Sequence, residues 1–198
     1  MTYELLAALV LFAFVSSITP GPNNLMLMAL GANFGFRRTV PHMLGIGLGF
    51  TFMVVLVGAG LVQIFDAVPA SYTLLKAGSV AYLLWLAWKI AHATPAATGA
   101  AKGRPMTFLQ AAAFQWVNPK AWAMALTAIS AYAPGQTWAA ILVTAGVFGA
   151  VNLPSVSTWT VLGQQMARLL TNPRRLTLFN WTMAALLVLS LYPVLAAG

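Results

Sequence analysis

Cysteine is absent from this chain of 198 residues, which excludes a disulfide framework and thiolate chemistry. Acid is almost absent too: Glu4 and Asp66 are the two carboxylates, and His42 and His92 the two histidines. Such a set offers no clustered His, Cys or carboxylate ligands for a metal. Nor does it place a histidine to activate a serine, as a hydrolase needs. No metal, cofactor or catalytic centre is expected. Charge of either sign is scarce, at 6% of residues against about 25% in a soluble domain. What the chain has instead is apolar surface, 61% of its residues. It cannot solvate its own exterior in water, so lipid is its solvent. The formal net charge of +8 does not point to nucleic acid, because the basic residues are scattered beside apolar runs, like loop charges that orient a membrane protein.

About 20 apolar residues cross a bilayer as a helix. Six such segments are expected, at 3–36, 40–63, 72–91, 106–133, 138–162 and 176–196. A small, basic, Pro/Gly-containing linker, "ATPAATGAAKGRP" at 93–105, divides the chain into halves 1–92 and 106–198. The fold class is all-α, a single transmembrane domain. The "LLAALVLFAFV" core of the first segment resembles a signal-peptide h-region, but no positive n-region precedes it and no small-x-small cleavage site follows, so it is read as a retained helix. Arg37 and Arg38 fall between segments one and two, Lys89, Lys102 and Arg104 between three and four, and Arg168, Arg174 and Arg175 between five and six. The opposite connections, "FDAVP" and "APGQT", and both termini carry no Lys or Arg. The asymmetry places the basic loops in the cytoplasm and both termini outside. Gly31 with Gly35, and Gly45 with Gly49, have the spacing that lets helices approach closely; a homodimer is compatible with such faces. "GIGLGF" lacks both the spacing and the flanking strand of a dinucleotide motif.

Two segments are interrupted. The first contains "TPGPNN", Thr19, Pro20, Gly21, Pro22, Asn23 and Asn24; the fourth contains "QWVNPK", with Gln115, Asn118, Pro119 and Lys120. Proline removes a backbone donor and strips carbonyls in the preceding turn of their partners. Gly21 permits a sharp turn, and Pro22 and Pro119 suit the first position of a new helix. Asn118 is a good N-cap. Each break therefore offers free amides at a half-helix N-terminus, attractive to a carboxylate, and freed carbonyls, attractive to an ammonium or a cation. A zwitterion such as an amino acid matches both. Three spans per half is an odd number, so the halves enter the membrane inverted, and paired interruptions in inverted halves point to a transporter's binding site. The competing structural account is a plain proline kink.

The stretches "TPGPNNLMLMALGANFGFRRTVPHMLGIGLG", "LLKAGSVAYLLWLAWKI" and "QWVNPKAW" resemble, in order along most of the chain, the lysine exporter (LysE/RhtB) family of bacterial inner-membrane amino-acid exporters. The resemblance implies export of amino acids or close derivatives across the inner membrane, driven by the proton gradient, with substrates that differ among members.

Among the charges, Lys120 is expected to meet the substrate carboxylate or to titrate, against a structural role on carbonyls freed by the break. An intramembrane charge is by default a functional hypothesis. Lys76, Asp66 and His42 are the other proton-coupling candidates. Lys76 is set against snorkelling to the interface, Asp66 against a solvated loop acid, and His42 against a solvated position near the basic loop. Asn152 and Ser155, in "NLPS" of segment five, are candidate substrate ligands, against interhelical hydrogen bonding. A small-ion or metal permease and a non-transporting membrane scaffold are the alternatives to an exporter.

Overall fold

The computed structural model describes residues 1–63, 67–68, 70–93, 104–170, 172–192 and 195. Among these the chain forms eight α-helices and no strand. Helix α1, Tyr3–Ile18, starts on the Thr2 hydroxyl, which accepts the Leu5 N–H at 3.3 Å. It ends where Pro20 and Pro22 interrupt the ladder, and α2, Pro22–Phe34, begins with Pro22 at its first position and is bent 53° from α1. Gly35, at φ 77°, is a one-residue joint to α3, Phe36–Leu56; a side chain is strained in that left-handed conformation. Helix α3 runs on into a wider π-helical turn at Val57–Leu61, and α4 is Ala70–Ala91. Helix α5, Phe108–Phe114, opens on a capping box between Thr107 and Gln110. It tightens into a 3₁₀ turn at Gln115–Val117, then restarts as α6, Pro119–Tyr132. Helix α7, Trp138–Leu169, is followed by α8, Pro173–Leu189.

Of the six expected spans, three helices are long and apolar enough to cross a membrane: Phe36–Leu61, Ala70–Ala91 and Trp138–Leu169. The bent pair α1 and α2 makes a fourth. The fourth segment is a short helix of 7 residues followed by one of 14, and neither alone reaches the roughly 30 Å core at 1.5 Å per residue. Helix α8 has 17 residues, about 25 Å at the same rise. Segment five is longer than expected: α7 runs without interruption through "NLPS", with Pro154 inside it. Several basic residues assigned to connections are in fact helical. Arg37 and Arg38 lie in the first turn of α3, Lys89 in the last turn of α4 and Arg168 in the last turn of α7.

Helix α1 runs parallel to α7, with Phe12 edge-on to Phe148 at 5.7 Å and Ser17 bonded to Asn152. Likewise α3 runs parallel to α5, with Gly45 against Phe108 and Ala111 and Gly49 against Ala112. Helix α2 crosses α7 where Gly31 meets the backbone of Thr160 and Gly163 meets the backbone of Met28. A Cβ at either glycine would overlap a carbonyl of the other helix. Gly35, the expected partner of Gly31 in a packing pair, serves as the joint instead.

Two large apolar clusters result, beside a smaller third around Leu27, Ile46 and Val156. One joins α1, α3, α6 and α7 around Leu9, Phe50, Ala125 and Phe148. The other joins α2, α4 and α8, with Phe114 of α5, around Met26, Leu83, Phe179 and Leu187. Each broken helix thus gives one half to each large cluster, and the two breaks lie between them.

Candidate functional site

At the first break the freed carbonyls are all taken. The Ser16 carbonyl accepts the Thr19 hydroxyl at 3.1 Å. The Ser17 carbonyl accepts Asn24 Nδ2 at 2.8 Å, and that same amide donates to the Thr19 carbonyl at 2.7 Å. The Ile18 carbonyl accepts Trp159 Nε1 of α7 at 3.1 Å. The remaining donor comes from the second break. Lys120 Nζ donates to the Thr19 carbonyl at 2.7 Å, the Thr19 hydroxyl at 2.9 Å and the Pro20 carbonyl at 3.3 Å. These side chains offset the cost of breaking the helix, chiefly at the buried Ser17 carbonyl, where an unpaired acceptor costs on the order of 1–3 kcal/mol; the Thr19 and Pro20 carbonyls that Lys120 meets lie on exposed residues.

The second break holds itself more simply. Asn118 is extended, and its Oδ1 accepts the Lys120 amide at 3.2 Å as an N-cap. Gln115, fully buried, donates to the Ala111 carbonyl at 2.8 Å and accepts from Asn23 Nδ2 at 2.9 Å. The breaks are therefore tied together twice, by Lys120 and by the Asn23–Gln115 amide pair. The first-turn amides of α2, at Asn23 and Asn24, have no intrahelical acceptor, and they start where a helix favours an anion.

A small cavity lies at this junction. Gly21, Asn23, Asn24, Gln115, Asn118, Lys120 and Asn152 line it with Ser16 and Ser17, above an apolar floor of Phe50, Met124 and Val156. Its free volume is about 20 Å³, room for one water. Asn152 is buried; its Nδ2 donates to Ser17 Oγ at 3.1 Å, and its Oδ1 has no donor among the described residues. Seven of the twelve residues read from sequence as substrate ligands line this cavity. Thr19 and Pro20 stand at its edge as acceptors for Lys120, while Pro22 and Pro119 shape the helix starts. Ser155 is not part of it: its hydroxyl donates to the Val151 carbonyl of its own helix at 2.8 Å. Ser157 and Thr158 likewise bond back onto α7. Ser16 and Ser17 were legible as polar residues one turn before the prolines. Phe50, Met124 and Val156 carried no signal, since an apolar wall of a site resembles any core residue.

The remaining charged candidates lie apart from this cavity. Lys76 is half-buried in the second turn of α4. His42 is not solvated as its place near the basic loop suggested. It is fully buried on α3, and neither ring nitrogen has a partner among the described residues. Asp66 lies outside the described residues. A larger cavity of about 510 Å³ opens between α2, α4 and the start of α5. Asn33, Tyr82, Trp85, Lys89, Arg104 and Gln110 are among its walls. Met26 also lines it, one turn beyond Asn23 on α2. Asn33, Asn180 and the Ala93 carbonyl are hydrogen-bonded together at 2.9 and 3.2 Å. They gather the ends of α2 and α4 onto the middle of α8.

An apolar helical bundle whose two broken helices meet at a half-open cavity lined by polar side chains matches the arrangement of a membrane transporter. The chain belongs to the family described as LysE type translocator, which matches residues 14–191. It is 33% identical over 180 residues to the cysteine/O-acetylserine efflux protein of Escherichia coli (strain K12), covering 85% of this chain and 87% of that one. The proteins of the same description from Shigella sonnei (strain Ss046) and Shigella flexneri serotype 5b (strain 8401) match with the same identity and coverage. No solved structure matches the chain.

Proposed function

We propose that this protein exports small neutral amino acids or close derivatives, cysteine and O-acetylserine among the candidates, across the bacterial inner membrane. The observation that carries the reading is the meeting of the two helix breaks, through Lys120 on the Thr19 and Pro20 carbonyls and through Asn23 on Gln115. A zwitterion placed there has its carboxylate at the Asn23 and Asn24 amides and its ammonium among carbonyls and the unpaired Asn152 Oδ1. Neutral substrates fit better than dibasic ones. The described walls of both cavities carry Lys120, Lys89 and Arg104 and no carboxylate, so a second ammonium finds no counterion.

The two halves, 1–92 and 106–198, act as inverted repeats that rock around this midplane site. The matched pairings α1 with α7 and α3 with α5 support that reading, since each joins the first piece of one broken helix to the unbroken helix that follows the break in the other half. The basic end, with the 510 Å³ cavity, faces the cytoplasm and admits substrate; both termini face outward, and lipid covers exposed residues such as Leu11, Leu48, Leu74 and Leu109. The proton gradient drives export, with Lys120, Lys76, Asp66 and His42 as the candidate carriers, and glycine-bearing faces leave room for a homodimer. Efflux of preloaded labelled amino acids from proteoliposomes, with and without a pH gradient, tests the whole reading. Cysteine or O-acetylserine efflux accelerated by the gradient is the expected result. No efflux of any amino acid in a broad panel would overturn it.

A further inference from the structure

The freed carbonyls of the first break were expected to wait for a substrate ammonium, and Lys120 either for a carboxylate or, in its structural alternative, for carbonyls freed by the break. The structure joins the two to each other. Lys120 Nζ makes three hydrogen bonds, to Thr19 O, Thr19 Oγ1 and Pro20 O, which is the full donor capacity of an ammonium. An amino acid's α-ammonium has the same charge and the same three donors. The lysine stem reaches this position across Gly21: a Cβ there would lie 2.6 Å from Lys120 Cδ and 3.1 Å from Nζ. The free volume left, about 20 Å³, holds a water and not an amino acid. The closed site is thus filled by the protein's own cation.

We propose that Lys120 is a tethered stand-in for the substrate's ammonium, held on the Thr19 and Pro20 carbonyls until an incoming zwitterion displaces it. This rests on the reading of the breaks as the substrate site. When the substrate ammonium takes the carbonyls, the lysine is released beside the half-helix N-termini, where the substrate carboxylate arrives. Two charges enter as a neutral pair, and the half-buried Lys120 and the incoming ions each keep a partner, which limits the cost of desolvating them. A ligand with an ammonium and no carboxylate must displace Lys120 and leave it unpaired, so the native site rejects amines. The lysine is in this way a specificity device: it selects for the carboxylate by occupying the ammonium's place.

The test uses ethylammonium as the probe and the thermal unfolding midpoint of the purified full chain as the readout, since transport itself falls when Lys120 is changed. Ethylammonium is expected to raise the midpoint of Lys120→Met at about a tenfold lower concentration than wild type needs, which corresponds to about 1.4 kcal/mol. Gly21→Ala, whose methyl takes the space of the lysine stem at a backbone φ of −176° that alanine adopts freely, is expected to shift the same way and serves if Lys120→Met does not fold. Equal ethylammonium responses in wild type and both variants, or no response in any, would overturn the proposal. The site reading is checked apart from it by Asn24→Ala: unchanged efflux there removes the break site whatever the amine does.

Discussion

The two breaks occupy matching places in the two halves yet solve the same problem differently. The first leaves Thr19, Pro20 and Gly21 out of the helix and turns the chain by 53°. It exposes a run of carbonyls that need donors from Asn24, Trp159 and Lys120. The second tightens through one 3₁₀ turn, leaves only Asn118 extended and caps itself. From its counterpart it takes only the Asn23 amide on Gln115, and it lends a cation. One break is therefore the acceptor side of the junction and the other the donor side. On the proposed reading of the halves as inverted repeats, different residues at equivalent positions make a pocket polar in opposite senses, which suits an asymmetric ligand such as a zwitterion.

That division of labour is open to attack, starting with its largest expected effect. Lys120→Ala removes the only cation at the donor side among the described residues; proteoliposome efflux should fall by about tenfold or more, in line with the loss of hydrogen bonds to a charged group, while the protein still inserts. Normal efflux would end the distinction between the breaks. Asn24→Ala acts on the acceptor side and leaves the buried Ser17 carbonyl without its donor. It should lose most efflux, less than Lys120→Ala does, and unfold more easily by about 1–3 kcal/mol, measured by thermal unfolding in detergent. Gln115→Leu cuts the second tie and leaves Asn23 unpaired. A change of roughly 1 kcal/mol in stability and a few-fold change in efflux are expected, and an effect as large as that of Lys120→Ala would make the amide pair, not the lysine, the main link. Ser155→Ala should change initial efflux rates by less than about twofold, because its hydroxyl bond is internal to α7 and interhelical partners are what carry such effects. A large loss would return Ser155 to the site.

Much of this arrangement was readable in the residues. Proline, glycine and asparagine in an apolar segment have few uses, so "TPGPNN" and "VNPK" marked the breaks, and the capping roles of Asn118, Pro119 and Pro22 followed from local chemistry. What the sequence could not show is which donor meets which acceptor. Lys120 and Thr19 are a hundred positions apart, and their pairing depends on how α1, α5 and α6 pack. His42 was misplaced for a related reason. Nearness to Arg37 and Arg38 along the chain suggested solvent, but the helix rotates the ring inward among apolar residues. The fourth segment, expected to be interrupted at "VNPK", is divided into α5 and α6, two pieces too short to cross alone, so length and hydropathy by themselves do not count it as a span.

The small size of the central cavity has an electrical meaning. Protons and alkali ions cross a membrane protein along files of water, and here the path between the breaks narrows to space for a single molecule, with a fixed positive charge on one wall. In this form the junction has room for one water beside the Lys120 ammonium. On the proposed reading as an exporter, such a junction resists ion leak while no substrate is bound.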